Sequence, residues 1–184
     1  MPSAPILARD ARARARRIRL LLFDVDGVLT DGTIWYFPLS AQRLVEVKGF
    51  SAHDGIGIML ARRAGLLTGV ITKRVSQSLA ARARDLKMDF VRQGIERKGE
   101  AFAEVLREAG VAAAEACCMG DDLVDLPMLR ACGLAAAPAN ARPEVLALAH
   151  FVARRPGGAG AARDLIEFVL KTQGKWRAAA RGYL

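Results

Sequence analysis

The 184-residue chain has little cysteine, few aromatic side chains and no long apolar run. Its three cysteines are Cys117, Cys118 and Cys132. An odd count with two neighbours gives neither a disulfide framework nor zinc-ligand spacing. They read as reduced, buried small residues. No apolar stretch reaches the roughly eighteen residues that a membrane span needs, and the first residues lack a signal-peptide core. A soluble, cytoplasmic protein is the expectation. Aromatics make up only 6% of the chain and do not interleave with its basic residues, which carry the formal charge to +9. That scatter suits a solvated arginine-rich surface better than a nucleic-acid footprint. The densest basic stretch, ARDARARARRIR at 8–19, favours a short solvated helix ahead of the first strand.

With no internal repeat and no linker, 1–184 reads as one domain. Apolar runs of strand length alternate with helical patterns. RLLLFDVDGVLTDG at 19–32 begins as a strand. Residues 33–48 read as a hairpin around PLSAQ, with Trp35 and Phe37 on one side and Tyr36 on the other. LLTGVIT, DFVRQG, EACCMGDD, LAAAPA and FVA are further strands. DGIGIMLARRAG, SQSLAARARDLKM, ERKGEAFAEVLREAG, DLPMLRACG, RPEVLALA and ARDLIEFVLKTQG are helices. A basic, aromatic-tipped tail occupies 174–184. This alternation predicts an α/β fold: a doubly wound, Rossmann-like parallel sheet with helices on both faces, no cap domain, and a β-hairpin inserted after the first strand.

In such sheets ligands bind beyond the carboxyl ends of the strands. Asp24 and Asp26 stand there, as do Thr72, Lys73 and Arg74, and then Asp121 and Asp122. Asp24, Asp26 and Asp121 are hard oxygen donors that suit Mg²⁺. Two carboxylates so close repel, and a divalent cation keeps both ionised. Thr72 offers a hydroxyl, Lys98 an ammonium at a helix start, and Arg74 and Arg82 guanidinium forks for anionic oxygens. Each fragment alone reads as a turn or a surface charge. A calcium loop is excluded, because the further ligands and the downstream glutamate are missing. The order Asp-x-Asp, Thr, Lys, Asp-Asp along successive strand ends is what points to phosphate chemistry.

DVDGVLTDG, VITKRVS, Lys98 and GDDLVDLPML resemble the four motifs of the haloacid dehalogenase superfamily of phosphohydrolases. The hairpin, HDGIGIMLARRAGL, GDDLVDLP and GGAGAARDL look more specifically like the small, cap-less 3-deoxy-D-manno-octulosonate 8-phosphate phosphatases. The resemblance covers 18–173. It implies Asp24 as the nucleophile that forms an aspartyl-phosphate, and Asp26 as acid and then base. It implies Mg²⁺ on the Asp24 side chain, the Asp26 backbone carbonyl and Asp121. Thr72 and Lys98 would hold the transferring phosphoryl group, and Asp122 and Asp125 would orient Lys98 and the metal's waters. Arg82 falls where the family has an arginine near the substrate. The resemblance further implies a homotetramer in which neighbours roof each active site, with the 33–48 hairpin as the assembly element and the tail lining a neighbour's entrance. It also implies a place in lipopolysaccharide sugar supply in a Gram-negative bacterium.

One departure stands out. The family's usual Thr-Gly-Arg is Thr72-Lys73-Arg74 here. Lysine is strained if that position requires φ > 0; if its side chain enters the site, it adds positive charge. The departure bears on the exact sugar more than on the reaction; the leading substrate implied by the resemblance is an eight-carbon 2-keto-3-deoxy sugar acid phosphate. Alternatives are a sialic-acid-type nonulosonate 9-phosphate or a broad range of sugar phosphates. A basic, non-enzymatic scaffold that binds nucleic acid is the competing class. It is disfavoured because Asp24, Asp26, Lys98 and Asp121 are all present. His53 reads as a half-exposed loop residue.

Overall fold

The computed structural model describes residues 4–183. One seven-stranded sheet runs in the order β1-β9-β8-β7-β2-β5-β6. Its strands are β1 (Ile6–Leu7), β2 (Leu20–Phe23), β5 (Leu67–Ile71), β6 (Phe90–Arg92), β7 (Ala116–Met119), β8 (Leu134–Ala137) and β9 (Phe151–Val152). Every pairing is parallel except that of the edge strand β1 with β9. The separate hairpin is β3 (Trp35–Ser40) with β4 (Arg43–Val47).

β2 explains why the sheet needs two helical layers. Its four residues are all buried, and they alternate between two cores. Leu21 and Phe23 pack beneath α2 (Ala52–Arg63), α3 (Gln77–Asp85) and α7 (Ala161–Thr172). Leu20 and Leu22 pack beneath α4 (Lys98–Ala109), α5 (Leu126–Ala131) and α6 (Pro143–Leu148). A strand covered on both faces reads as a continuous apolar run, which is what LLLF is. Replacing one such leucine by alanine costs about 2–5 kcal/mol, so β2 is a stiff mount for the loop at its carboxyl end.

From β2 the chain moves one way to β5 and β6, then returns to build β7, β8 and β9 on the other side. The order reverses at the β2/β7 pair, whose register sets Phe23 beside Met119. The loops after these two strands flank one crevice, as the doubly wound expectation requires.

Local differences have physical causes. β3 runs on through Pro38 to Ser40, so only Ala41 and Gln42 form the turn. A register irregularity between Pro38 and Ser40 absorbs the proline, which a two-stranded edge tolerates. The lead-in helix, α1 (Ala11–Ala15), is half-solvated rather than wholly so. Ala11 and Ala15 are buried, and Arg14 donates to the Gly133 carbonyl at 2.8 Å. The tail forms α8 (Trp176–Ala179), which packs against α2 and α7. Trp176 takes the Arg163 guanidinium at 5.3 Å and the Lys171 ammonium at 5.0 Å over its ring. The three cysteines are buried and free.

Candidate active site

Asp24 comes directly after β2, and its amide donates to the Met119 carbonyl of β7 at 2.9 Å. The last sheet hydrogen bond thus fixes the backbone that carries the carboxylate. Asp24 is 6% exposed. Lys98 opens α4, itself buried, and reaches across with its ammonium 2.7 Å from Asp24 Oδ1 and 2.6 Å from Asp125 Oδ1. The second oxygen of Asp125 accepts from the amides of Asp121 (2.9 Å) and Asp122 (3.2 Å). Asp125 therefore holds both Lys98 and the loop that presents Asp121. Asp122 is exposed and instead accepts from the Leu123 amide; its carboxylate makes no contact with Lys98 among the hydrogen bonds and ion pairs of the described residues.

Oxygens of Asp24, Asp121 and Asp125 lie within 4.8 Å of one another. Such crowding has an electrostatic signature. Burial first, then the Asp125 carboxylate, push Asp24 up to about 6, against the pull of Lys98. Burial and the carboxylates of Asp125, Asp24 and Asp122 push Asp121 up to about 7. Burial alone would lower Lys98, but Asp24 and Asp125 outweigh it, and its ammonium titrates above its ordinary value.

The donor set fits a hard divalent cation. Asp24 Oδ1 is buried, and although it touches the Lys98 ammonium it accepts no well-formed hydrogen bond. Asp125 has both oxygens engaged by donors, so Asp24 and Asp121 are the two with capacity left. One or two carboxylates plus water is the usual way proteins hold Mg²⁺. The loop after β2 is shaped around this arrangement. Gly27 has φ +89°, and a Cβ there would collide with Asp121 Oδ2. Only glycine allows the Asp24 loop to pass so close to the Asp121 carboxylate. The glycine loop at 157–160 buttresses the same turn: Gly158 donates to the Val28 carbonyl at 2.9 Å.

Asp24, Lys98 and Asp121 line one cleft of about 700 Å³, together with Asp26, Thr72, Lys73 and Arg74. Thr72 is buried at the end of β5, where its carbonyl accepts from Ile95 and its amide donates to Arg92. Lys73 has no positive φ, so replacing the family's glycine strains nothing. Its exposed ammonium pairs with Glu96 at 2.9 Å on the rim of the cleft. Arg74 is half-buried, pairs with Glu46 of β4 and donates to the Tyr36 hydroxyl at 3.2 Å.

Arg82 does not reach this cleft. It lies between α2 and α3, beside Ser51, Asp54 and Gly55, with its guanidinium where a Gly55 Cβ would collide with it. The missing side chain at Gly55 makes the space that Arg82 fills. His53 is exposed on the first turn of α2, not in a loop.

Sequence reasoning missed Lys48. It comes just after β4, its side chain is 2% exposed, and its ammonium pairs with Asp26 Oδ1 and, at 3.2 Å, with Glu46. The Asp26 carboxylate thus faces the hairpin rather than the Asp24–Asp121 cluster. The available signal was the alternation in the hairpin: Tyr36 pairs across with Glu46, and Lys48 lies two residues on, on the same face.

The descriptions of known proteins converge on the same chemistry. The family model for haloacid dehalogenase-like hydrolases matches residues 71–163. The Escherichia coli protein described as 3-deoxy-D-manno-octulosonate 8-phosphate phosphatase KdsC is 36% identical over 169 residues, 92% of this chain and 88% of that protein. A Yersinia pestis crystal structure under the same enzyme name superposes with a TM-score of 0.88 at 35% identity, over 95% of this chain and 96% of that one. The Moraxella catarrhalis structure, described as a complex with magnesium ion, phosphate ion and a KDO molecule, has a TM-score of 0.90 at 29% identity, covering 96% and 100%.

Proposed function

The chain belongs to the haloacid dehalogenase-like hydrolases, within their 3-deoxy-D-manno-octulosonate 8-phosphate phosphatases, and from that premise we propose that it hydrolyses the 8-phosphate of this eight-carbon keto-sugar acid with Mg²⁺ as cofactor. The observation that carries the reading is the buried Asp24 carboxylate, mounted on β2 and facing Lys98 and Asp121.

Asp24 is the nucleophile. Its oxygen attacks phosphorus, the bond to the sugar oxygen breaks, and an aspartyl-phosphate forms. Asp26 gives the departing oxygen its proton, then takes one from the water that opens the acyl phosphate. Lys98 sets an ammonium beside the charge that builds on the phosphoryl oxygens, and Thr72 offers them a hydroxyl. Asp24 and Asp121 would hold Mg²⁺, which when bound would keep both carboxylates ionised and neutralise phosphoryl charge. Asp125 acts through others: it fixes the position of Lys98 and the loop of Asp121. Lys73 and Arg74 stand at the mouth, each paired with a glutamate, Glu96 and Glu46, and a substrate that carries both carboxylate and phosphate would compete with those glutamates for them.

A phosphate-release assay with Mg²⁺ checks the substrate. The eight-carbon keto-acid phosphate is expected to give the highest kcat/KM, above nine-carbon nonulosonate 9-phosphates and simple sugar phosphates. EDTA abolishes release, and added Mg²⁺ restores it. Preference for a nine-carbon ester would move the assignment to the sialic-acid-type reaction, and turnover that survives EDTA would end the Mg²⁺ reading.

The hairpin supports a homotetramer as the working form. Trp35, Phe37, Leu39 and Leu44 are 56–65% exposed on it, and an apolar edge of this kind is a liability unless covered. Sedimentation is expected at four times the chain's 19.8 kDa; a monomer at micromolar concentration refutes the assembly. Among the described residues no helix is long and apolar enough to cross a membrane, in keeping with a cytoplasmic place of work.

A further inference from the structure

A buried lysine paired with the acid of the reaction requires an explanation. Lys48 is almost fully buried, yet it lies outside the Asp24–Lys98–Asp121 cluster. Burying an ammonium is costly unless carboxylates surround it, and Lys48 has two, Asp26 and Glu46. Glu46 in turn pairs with Arg74, which also takes the Tyr36 hydroxyl. The chain of contacts runs Asp26, Lys48, Glu46, Arg74, Tyr36. Glu46 and Lys48 come from β4 and the residue just beyond it, and Ser78 of α3 anchors that strand by donating to the Glu46 carbonyl at 3.3 Å.

The geometry at Asp26 is asymmetric. Oδ1 is taken by Lys48, whereas among the hydrogen bonds and ion pairs of the described residues Oδ2 has only the Arg74 guanidinium, at 3.9 Å from Nε. Asp26 also lines the cleft. One oxygen is therefore clamped and the other is left for a reacting group.

We infer that Lys48 is a positioning residue for Asp26: it pins one carboxylate oxygen so that the other faces the leaving group, and it makes the hairpin part of the proton-transfer machinery. The inference rests on the role assigned above to Asp26. Positioned acid–base groups contribute about 10²–10⁴-fold, so a loosened acid loses much of that factor. The loss depends on the leaving group. A sugar alkoxide needs a proton as the P–O bond breaks; p-nitrophenolate leaves without one.

The test compares kcat/KM, which here tracks phosphoryl transfer to Asp24, for alkyl phosphates and p-nitrophenyl phosphate. Lys48→Met is expected to lose about 10²-fold on alkyl phosphates and far less on p-nitrophenyl phosphate, with KM little changed. Asp26→Asn should show the same selectivity. The double variant Asp26→Asn/Lys48→Met should be no worse than Asp26→Asn alone, because the lysine acts through the aspartate. Lys48→Arg should recover part of the alkyl rate. If Lys48→Met loses its cooperative melting transition, Glu46→Gln replaces it and must show the same selective loss. Equal losses on both ester classes, or losses that add in the double variant, overturn the inference. A wild-type chain inert on every phosphate ester ends the phosphatase reading and this one together; an active wild type with unselective variants ends this one alone.

Discussion

Asp24→Asn leaves a folded protein that releases no phosphate. The substitution keeps the shape of the side chain and removes the charge on which the proposed attack depends. An amide does not attack phosphorus, so turnover falls by roughly 10⁴- to 10⁶-fold, the scale on which loss of a nucleophile registers. The fold is expected to tolerate the change. Burial and Asp125 already push the Asp24 carboxyl up to about 6, so the metal-free protein is strained by this charge at neutral pH. A neutral amide relieves that strain, while Lys98 keeps its partner Asp125 at 2.6 Å. The metal-free melting temperature should therefore hold or rise as activity vanishes. Phosphate release within tenfold of wild type would refute an aspartyl-phosphate on Asp24. A mere fall in melting temperature would not account for the loss.

How much of this is legible in the sequence depends on which residues are asked about. LLLF with Asp24 after it, and ACCM with Gly120 and Asp121 after it, carry their own geometry. A fully apolar run must be a central strand, and the residues just past the carboxyl ends of such strands gather at one edge of the sheet. The same rule places Thr72, and a position at a helix start places Lys98. Arg82 shows where the rule stops. Helical spacing gives the face of a side chain, but not which neighbour has left room for it, and here the room is made by Gly55 on another helix. Lys48 shows the converse. A lysine after a two-stranded hairpin reads as solvated until the hairpin's placement against Asp26 and α3 is known. The roles of Asp122 and Asp125 are not separable from GDDLVD alone. A short 3-10 turn at Leu123–Asp125 buries Asp125 and leaves Asp122 outside. The two-residue β1 leaves no pattern at all; it exists because β9 offers it an edge.

Lys98→Met tests the electrostatic core of the site, and its effect should appear in stability as well as rate. Lys98 is the cation between Asp24 and Asp125. Removing one partner of a buried ion pair costs about 3–5 kcal/mol, because the charge left behind stays buried. At about 2–4 °C per kcal/mol for a chain of this size, the metal-free melting temperature should fall by roughly 6–20 °C at neutral pH. The pH dependence identifies the cause. In the wild type Asp24 titrates at about 6 and Asp121 at about 7, both above the ordinary carboxylate value of 3.8. The folded state therefore holds protons that the unfolded chain releases. The contribution of these two groups to stability is greatest below about pH 4 and declines as pH rises toward 7. Lys98 lowers both groups, so in the variant both move higher and the decline continues to higher pH. The gap between the two proteins should be small at pH 5 and wide at pH 8. Mg²⁺ should narrow it at pH 8, since a cation on Asp24 and Asp121 supplies part of the missing charge. Activity should not return with it, because the ammonium that the proposed mechanism sets beside the phosphoryl oxygens is still absent. A gap that stays the same from pH 5 to pH 8 would show that lost packing of the long side chain, and not the bare carboxylates, is what destabilises the variant.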